Sequence, residues 1–220
     1  MKPYVRQRSF TKREEAVHTV THGMGALAGV FLLIILIVRV WGAGALYTGA
    51  AIIYGISIII LYSASCAYHA ASYAYEDGRD STLRDFFKKC DHSIIFLLIL
   101  GTYTPACAVL GGVLGGVLFA IVAFCSVAGI VLNIISVEKY KRISEILYLI
   151  AGWTIAPAIV PFYRVVGFSG ILYLVLGGIL YTVGVIFYKL EKKLYFHTVW
   201  HFFVLAGTAM HFILVYFYCF

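Results

Sequence analysis

Two histidines stand four residues apart in the segment HTVWH, His197 and His201. On a helix, residues i and i+4 share one face, with Cβ atoms about 5–6 Å apart. Two imidazoles at that spacing suit one zinc ion, although packed or hydrogen-bonded histidines give the same pattern. His69 ends an earlier apolar run and could bring a third nitrogen. Three protein ligands plus water is the open arrangement of a catalytic zinc. Ser65 lies one helical turn before His69, on the same face. Its hydroxyl could orient a ligand or stabilise an oxyanion, or it could bond back to a helix carbonyl. Asp91 opens another apolar run. It could hold the attacking water and act as general base. It could equally be a helix N-terminal carboxylate, or pair with Lys88 or Lys89. On these residues alone the catalytic and the packing readings both stay open.

Four further histidines complete the set. His18 and His22 form another i, i+4 pair, either a second site or partners for loop groups. His92 follows Asp91 and points about 100° away from it on a helix, which reads as a hydrogen-bonded interfacial histidine. His211 sits near the middle of the last apolar run. A histidine that deep in a membrane helix faces the bundle interior or a cavity, so it is a candidate for lining a substrate or ion path.

The elements that carry these residues are apolar. Of 220 residues, 62% are hydrophobic and 12% charged, about half the charge of an ordinary soluble domain. Apolar runs fall at 20–40, 46–69, 92–110, 114–136, 146–163, 168–188 and 198–219. A bilayer core about 30 Å thick needs roughly 20 such residues per crossing. The expected fold is therefore all-α: a polar segment over 1–17, then a bundle of seven transmembrane helices over 18–220. The fourth run is the least cleanly bounded, because only GGVLGG (111–116) separates it from the third.

Fifteen of the 17 Lys and Arg lie in the N-terminus and in the loops after the second, fourth and sixth runs. Arg39 and Arg164 alone fall on the opposite side. The positive-inside rule makes the basic side cytoplasmic, with the N-terminus inside and the C-terminus outside. Tyr216, Phe217, Tyr218 and Phe220 then join an outer aromatic belt. Every histidine except His211 falls at the cytoplasmic end of a run, together with Glu14, Glu15 and Asp91. The expected location is a cell membrane, as a multi-pass protein of a bacterial plasma membrane.

Other readings of these features fail on particular residues. The net charge of +7 does not imply nucleic acid, because the basic residues alternate with apolar runs instead of covering one face. The five cysteines (Cys66, Cys90, Cys107, Cys125, Cys219) lack CxxC spacing and mostly sit inside apolar runs, so no disulfide framework is expected. The start resembles a signal peptide with Ala43-Gly44-Ala45 as its cleavage site. Glu14, Glu15, His18, His22 and Arg39 argue instead for a first membrane helix. Gly25 with Gly29, Gly111 with Gly115 and Gly112 with Gly116 have the small-xxx-small spacing of close helix packing. Pro105, Pro157 and Pro161 predict kinks.

Taken together, the motifs resemble the hemolysin III proteins of the progestin and adiponectin receptor (PAQR) family. They are Glu15 with His22-Gly23 in EEAVHTVTHG, Ser65-Cys-Ala-Tyr-His69, Asp91 in FKKCDHSIIFLLILGTYTP, and His197-Thr-Val-Trp-His201 with His211 ten residues on. The resemblance implies seven helices with a cytoplasmic N-terminus. It implies Zn2+ near the inner leaflet on His69, His197 and His201, with Asp91 acting through water and Ser65 beside it. It further implies hydrolysis of a membrane lipid amide, ceramidase-like, with the bilayer and a lipid substrate as partners and oligomeric state left open. The hemolysin name implies a second function, a cytolytic pore or channel, although few polar residues are available to line a water path. A third is a receptor or regulator of membrane state with structural zinc, for which Cys66, Cys90 or His92 could close the coordination. The N-terminal tail is shorter than in the eukaryotic receptors, and His18 stands where those often carry Asn.

Overall fold

A computed structural model describes residues 10–74 and 82–220. Lys2, Arg6, Arg8 and Arg79 of the charge argument lie outside the described residues. Among the described residues all regular structure is helical: α1 (Lys12–Arg39), α2 (Ala45–Ala74), α3 (Thr82–Leu110), α4 (Gly112–Trp153), a 3₁₀ turn (Ala156–Ala158), α5 (Ile159–Lys189) and α6 (Phe196–Leu214), which runs into a π-turn (Val215–Cys219). Five helical stretches among the described residues are long and apolar enough to cross a membrane, and one of them is the run Gly112–Lys189. Large apolar side chains such as Trp41, Phe124, Phe168 and Phe31 face outward, while Glu14, His18, His69 and Asn133 are buried. This inverts the soluble pattern and suits a lipid surround, in which polar groups must find partners inside the bundle.

The sequence divides 112–189 into three apolar runs, and the backbone there, helical over most of its length, is interrupted close to the ends of those runs. It leaves helical geometry at Ser136 (φ −165°, ψ 113°) and at Gly167 (φ 68°, ψ −175°). The value at Gly167 is in the left-handed region, open to a residue without Cβ. Pro157 falls in the 3₁₀ turn between the two helices. Pro105 lies inside α3 and Pro161 in the first turn of α5.

The glycines divide by role. Gly111 and Gly112 both have positive φ and make the reversal from α3 to α4. Gly116 faces open space, so its spacing from Gly112 has no packing role. Gly25 behaves as expected: a Cβ there would lie 2.9 Å from Tyr62 and 3.0 Å from Leu205, so α1 comes close to both α2 and α6. Helix α1 packs on α2, α2 on α3, α3 on α4 and α5 on α6, and α1 also touches α6.

Helix α1 starts at Lys12, ahead of the first apolar run, because Thr11 and Glu14 form a capping box there. Such a box satisfies two of the amide donors a helix start leaves free. The same Glu14 carboxylate also accepts the Tyr195 amide at 2.8 Å. Tyr195 has φ 60° immediately before α6. One buried side chain thus ties the start of α1 to the start of α6, and that is the end of the bundle where the histidines gather.

Candidate metal centre

Four elements meet at this end: the first turns of α1, the last turns of α2, the early part of α3 and the first turns of α6. His18, His69, His197 and His201 form one buried cluster. The His69 ring centroid lies 4.6 Å from that of His18, 5.3 Å from His197 and 5.0 Å from His201. Nitrogens of His18, His69 and His197 all lie within 4.8 Å of one another. His201 is 4.8 Å from His18 and 4.9 Å from His197 between ring centroids. Of the three histidines proposed from the sequence, His69 and His197 share the close nitrogen group with His18, and His201 packs beside it.

The rings of His69, His18 and His201 are each oriented by a partner. His69 Nδ1 meets Glu15 Oε2 at 2.6 Å, while its Nε2 is buried without a partner. A carboxylate on one ring nitrogen, with the other left free, is the usual support of a metal-binding histidine. His18 Nε2 bonds the Thr198 hydroxyl at 2.9 Å, and His201 Nδ1 bonds the Thr21 hydroxyl at 3.1 Å. Each helix thus lends a threonine to orient the other's histidine. His18 Nδ1 and His197 Nδ1 are buried without an aligned hydrogen bond. Phe10 covers the cluster, its ring centroid 5.1 Å from His18 and 4.8 Å from His197.

The donor set fits zinc. Neutral imidazole nitrogens are zinc ligands, and orphaned ring nitrogens converge in a space closed to solvent. Buried polar atoms cost free energy unless they find partners, a need that one metal ion shared by His18, His69 and His197 could meet.

Ser65 and Asp91 stand beside the cluster, with the Ser65 hydroxyl close enough to act on the Asp91 carboxylate. Lys88 turns away from Asp91 to pair with Glu138. His92 bonds the Lys88 carbonyl at 3.1 Å and contacts the Tyr188 hydroxyl at 3.4 Å. His22 stacks on His201, centroids 3.6 Å apart, with neither ring nitrogen hydrogen-bonded. In the connection before α6, burial works against the charge of Glu191. The neighbouring His197 ring and the Lys141 ammonium outweigh it and hold the carboxyl down at about 2.

A cavity of about 150 Å³ opens from the cluster into the bundle. Ser65, Asp91, His197 and His201 line its polar end, Leu61, Ile95, Leu98 and Val204 its shaft, and His211 its deep part. His211 also meets the Leu174 carbonyl at 3.2 Å.

The "Haemolysin-III related" family profile matches residues 10–212. The chain belongs to the haemolysin-III family. It is 39% identical over 218 residues to Hemolysin-3 of Bacillus cereus, covering 97% of this chain and 94% of that one. It is 37% identical over 212 residues to the Hemolysin-3 homolog of Bacillus subtilis strain 168, covering 96% of each. A more distant relative is the human monocyte to macrophage differentiation factor, 27% identical over 162 residues, 73% of this chain and 66% of that one. With its apolar helices, this family assignment makes the chain a multi-pass protein of the cell membrane.

The sequence by itself sets His18 and His22 apart from the three histidines expected to hold a metal. The missed signal was the spacing of Glu15, His18 and His22, at i, i+3 and i+7 on one helix face. That face is turned into the bundle, and all three residues are buried.

Proposed function

We propose that this haemolysin-III protein is a zinc-dependent hydrolase of membrane lipid amides, with its centre at the cytoplasmic leaflet. One observation carries the reading: His197 and His201 of the buried histidine cluster, with Ser65 and Asp91, form the polar end of a cavity lined mainly by apolar side chains. An acyl chain suits the shaft, and its polar head then lies at the histidines. His69, His197 and His201 hold the zinc. When bound, zinc supplies a Lewis acid for the carbonyl and a lowered pKa for water. Asp91 takes the proton of the attacking water and returns it to the leaving amine. Ser65 holds the Asp91 carboxylate in place. Glu15 fixes the His69 ring, and Phe10 keeps bulk water from the cluster.

The topology belongs to the same proposal. As one straight rod, α4 with its 42 residues would run about 63 Å, twice a bilayer core. Breaks at Ser136 and Gly167 divide 112–189 into three crossings, which raises the total to seven. The distribution of Lys and Arg then sets the N-terminus and the metal centre on the cytoplasmic side.

Purified full-length protein should hold about one zinc per chain and release fatty acid from a fluorescent long-chain ceramide. Asp91→Asn should retain zinc and lose hydrolysis. Zinc-loaded protein that leaves a panel of lipid amides intact would exclude the hydrolase.

A second reading, structural zinc in a regulator of membrane state, draws on His18. A fourth histidine within reach could close the coordination, as in structural sites. In that case His18→Ala weakens zinc binding as much as His69→Ala does, whereas an open site leaves His18→Ala close to wild type.

A further inference from the structure

We propose that Glu191, itself held by Lys141, is the positioning residue for His197. The inference rests on the reading that His197 binds the metal, and it concerns the turn just before the HTVWH motif.

His69 shows the device in complete form, with a carboxylate on Nδ1 and an orphaned Nε2. His197 has the components of the same device. Its Nδ1 is buried without an aligned hydrogen bond, and Glu191 Oε2 lies 3.4 Å from it. A modest rotation of the ring or the carboxylate turns that contact into an N–H···O bond. The His197 tautomer is then fixed with its proton on Nδ1 and its Nε2 lone pair free for a metal.

Glu191 is itself constrained. Its other oxygen, Oε1, accepts from Lys141 Nζ at 2.8 Å. The Lys141 ammonium in turn sits 4.5 Å from the centroid of the Tyr188 ring. The backbone is tied as well, since the Glu191 amide bonds the Tyr188 carbonyl at 3.2 Å and the Lys193 amide bonds the Leu190 carbonyl at 2.9 Å. The connection from α5 to α6 is thus a short, braced turn that presents one carboxylate to the first histidine of α6. Lys141 lies five residues beyond the break at Ser136, so that break helps to direct the lysine toward this turn. A Lys141–Glu191 pair serving only as a partly exposed ion pair would contribute little. Orientation of a buried ring gives the pair a function.

The test is zinc affinity of the full-length protein by chelator competition, with the visible spectrum of the Co(II)-substituted protein as a second readout. Glu191→Ala should bind zinc about 10–100-fold more weakly and shift the Co(II) bands. Glu191→Gln, nearly isosteric, should lose less and decides the matter if the alanine variant does not fold. Lys141→Met should fall between wild type and Glu191→Ala. Lys88→Met breaks a different ion pair, with Glu138, and should leave affinity unchanged. Wild-type uptake of zinc with affinities within about twofold for the Glu191 variants overturns this inference alone. A wild type that takes up no metal overturns it together with the metal reading.

Discussion

Glu15 offers the sharpest test of the metal centre. Its carboxylate is buried and meets His69 Nδ1 at 2.6 Å, short enough for a charge-assisted bond. It lies 3.8 Å from His18 Nδ1 as well. Glu15→Ala leaves a buried ring nitrogen with no acceptor, at a cost of about 1–3 kcal/mol. The ring then loses its orientation and some of its basicity toward a metal. Loss of such a supporting carboxylate lowers metal affinity roughly 10–100-fold, equal to about 1.4–2.8 kcal/mol. The first is a cost in folding stability and the second a loss in metal affinity, so each is read by its own measurement. Glu15→Gln keeps an acceptor but loses the charge, so its affinity should fall by about tenfold or less. The assay is chelator-competition titration with zinc, paired with thermal melting of the metal-free protein to separate folding from binding. If Glu15→Ala melted like wild type and bound zinc within twofold of it, the carboxylate would have no part in supporting a ligand, and the reasoning from geometry to metal site would fail.

Other predictions concern the cluster and the packing that forms it. His69→Ala and His197→Ala should each bring zinc well below one per chain by elemental analysis, and undiminished zinc would move the metal elsewhere. At Gly129 a Cβ would run into the Phe96 ring, so Gly129→Ala should destabilise by about 1–3 kcal/mol. Gly116→Ala meets nothing within 4 Å and should stabilise by roughly 0.5–1 kcal/mol. Equal melting temperatures for the two variants would contradict the packing of α4 on α3. Tyr62→Phe removes a 2.7 Å bond to Thr208, and denaturation should show a loss of about 0.5–1.5 kcal/mol. Thr208 keeps Tyr181 at 2.8 Å, so a much larger loss would mean that the hydroxyl does more than this bond.

Much of the architecture is written in local features of the chain. Uncharged runs of about 20 residues can only be helices in lipid, because each backbone donor and acceptor must be satisfied within its own segment. That reasoning holds for α1, α2, α3 and α6 without reference to their neighbours. Over 112–189 one apolar run ends at 136 and another begins at 168, so the breaks at Ser136 and Gly167 fall at run boundaries. Ser136 ends the fourth apolar run just ahead of Glu138, Lys139, Lys141 and Arg142, and the backbone leaves helical geometry there.

The candidate site divides in the same way. HTVWH predicts a shared face for His197 and His201, since helical periodicity is local, and SCAYH does the same for Ser65 and His69. Charge patterning adds that these faces lie at one end of the bundle. By itself, then, the sequence determined an all-helical membrane chain of the haemolysin-III family with its polar chemistry gathered at one end. The tertiary structure decided which groups touch. Glu15 reaches His69 across 54 positions, Thr198 reaches His18 across 180, and Lys141 reaches Glu191 across 50. Such contacts depend on how α1, α2 and α6 pack together, and no periodicity within one helix encodes a distance to another.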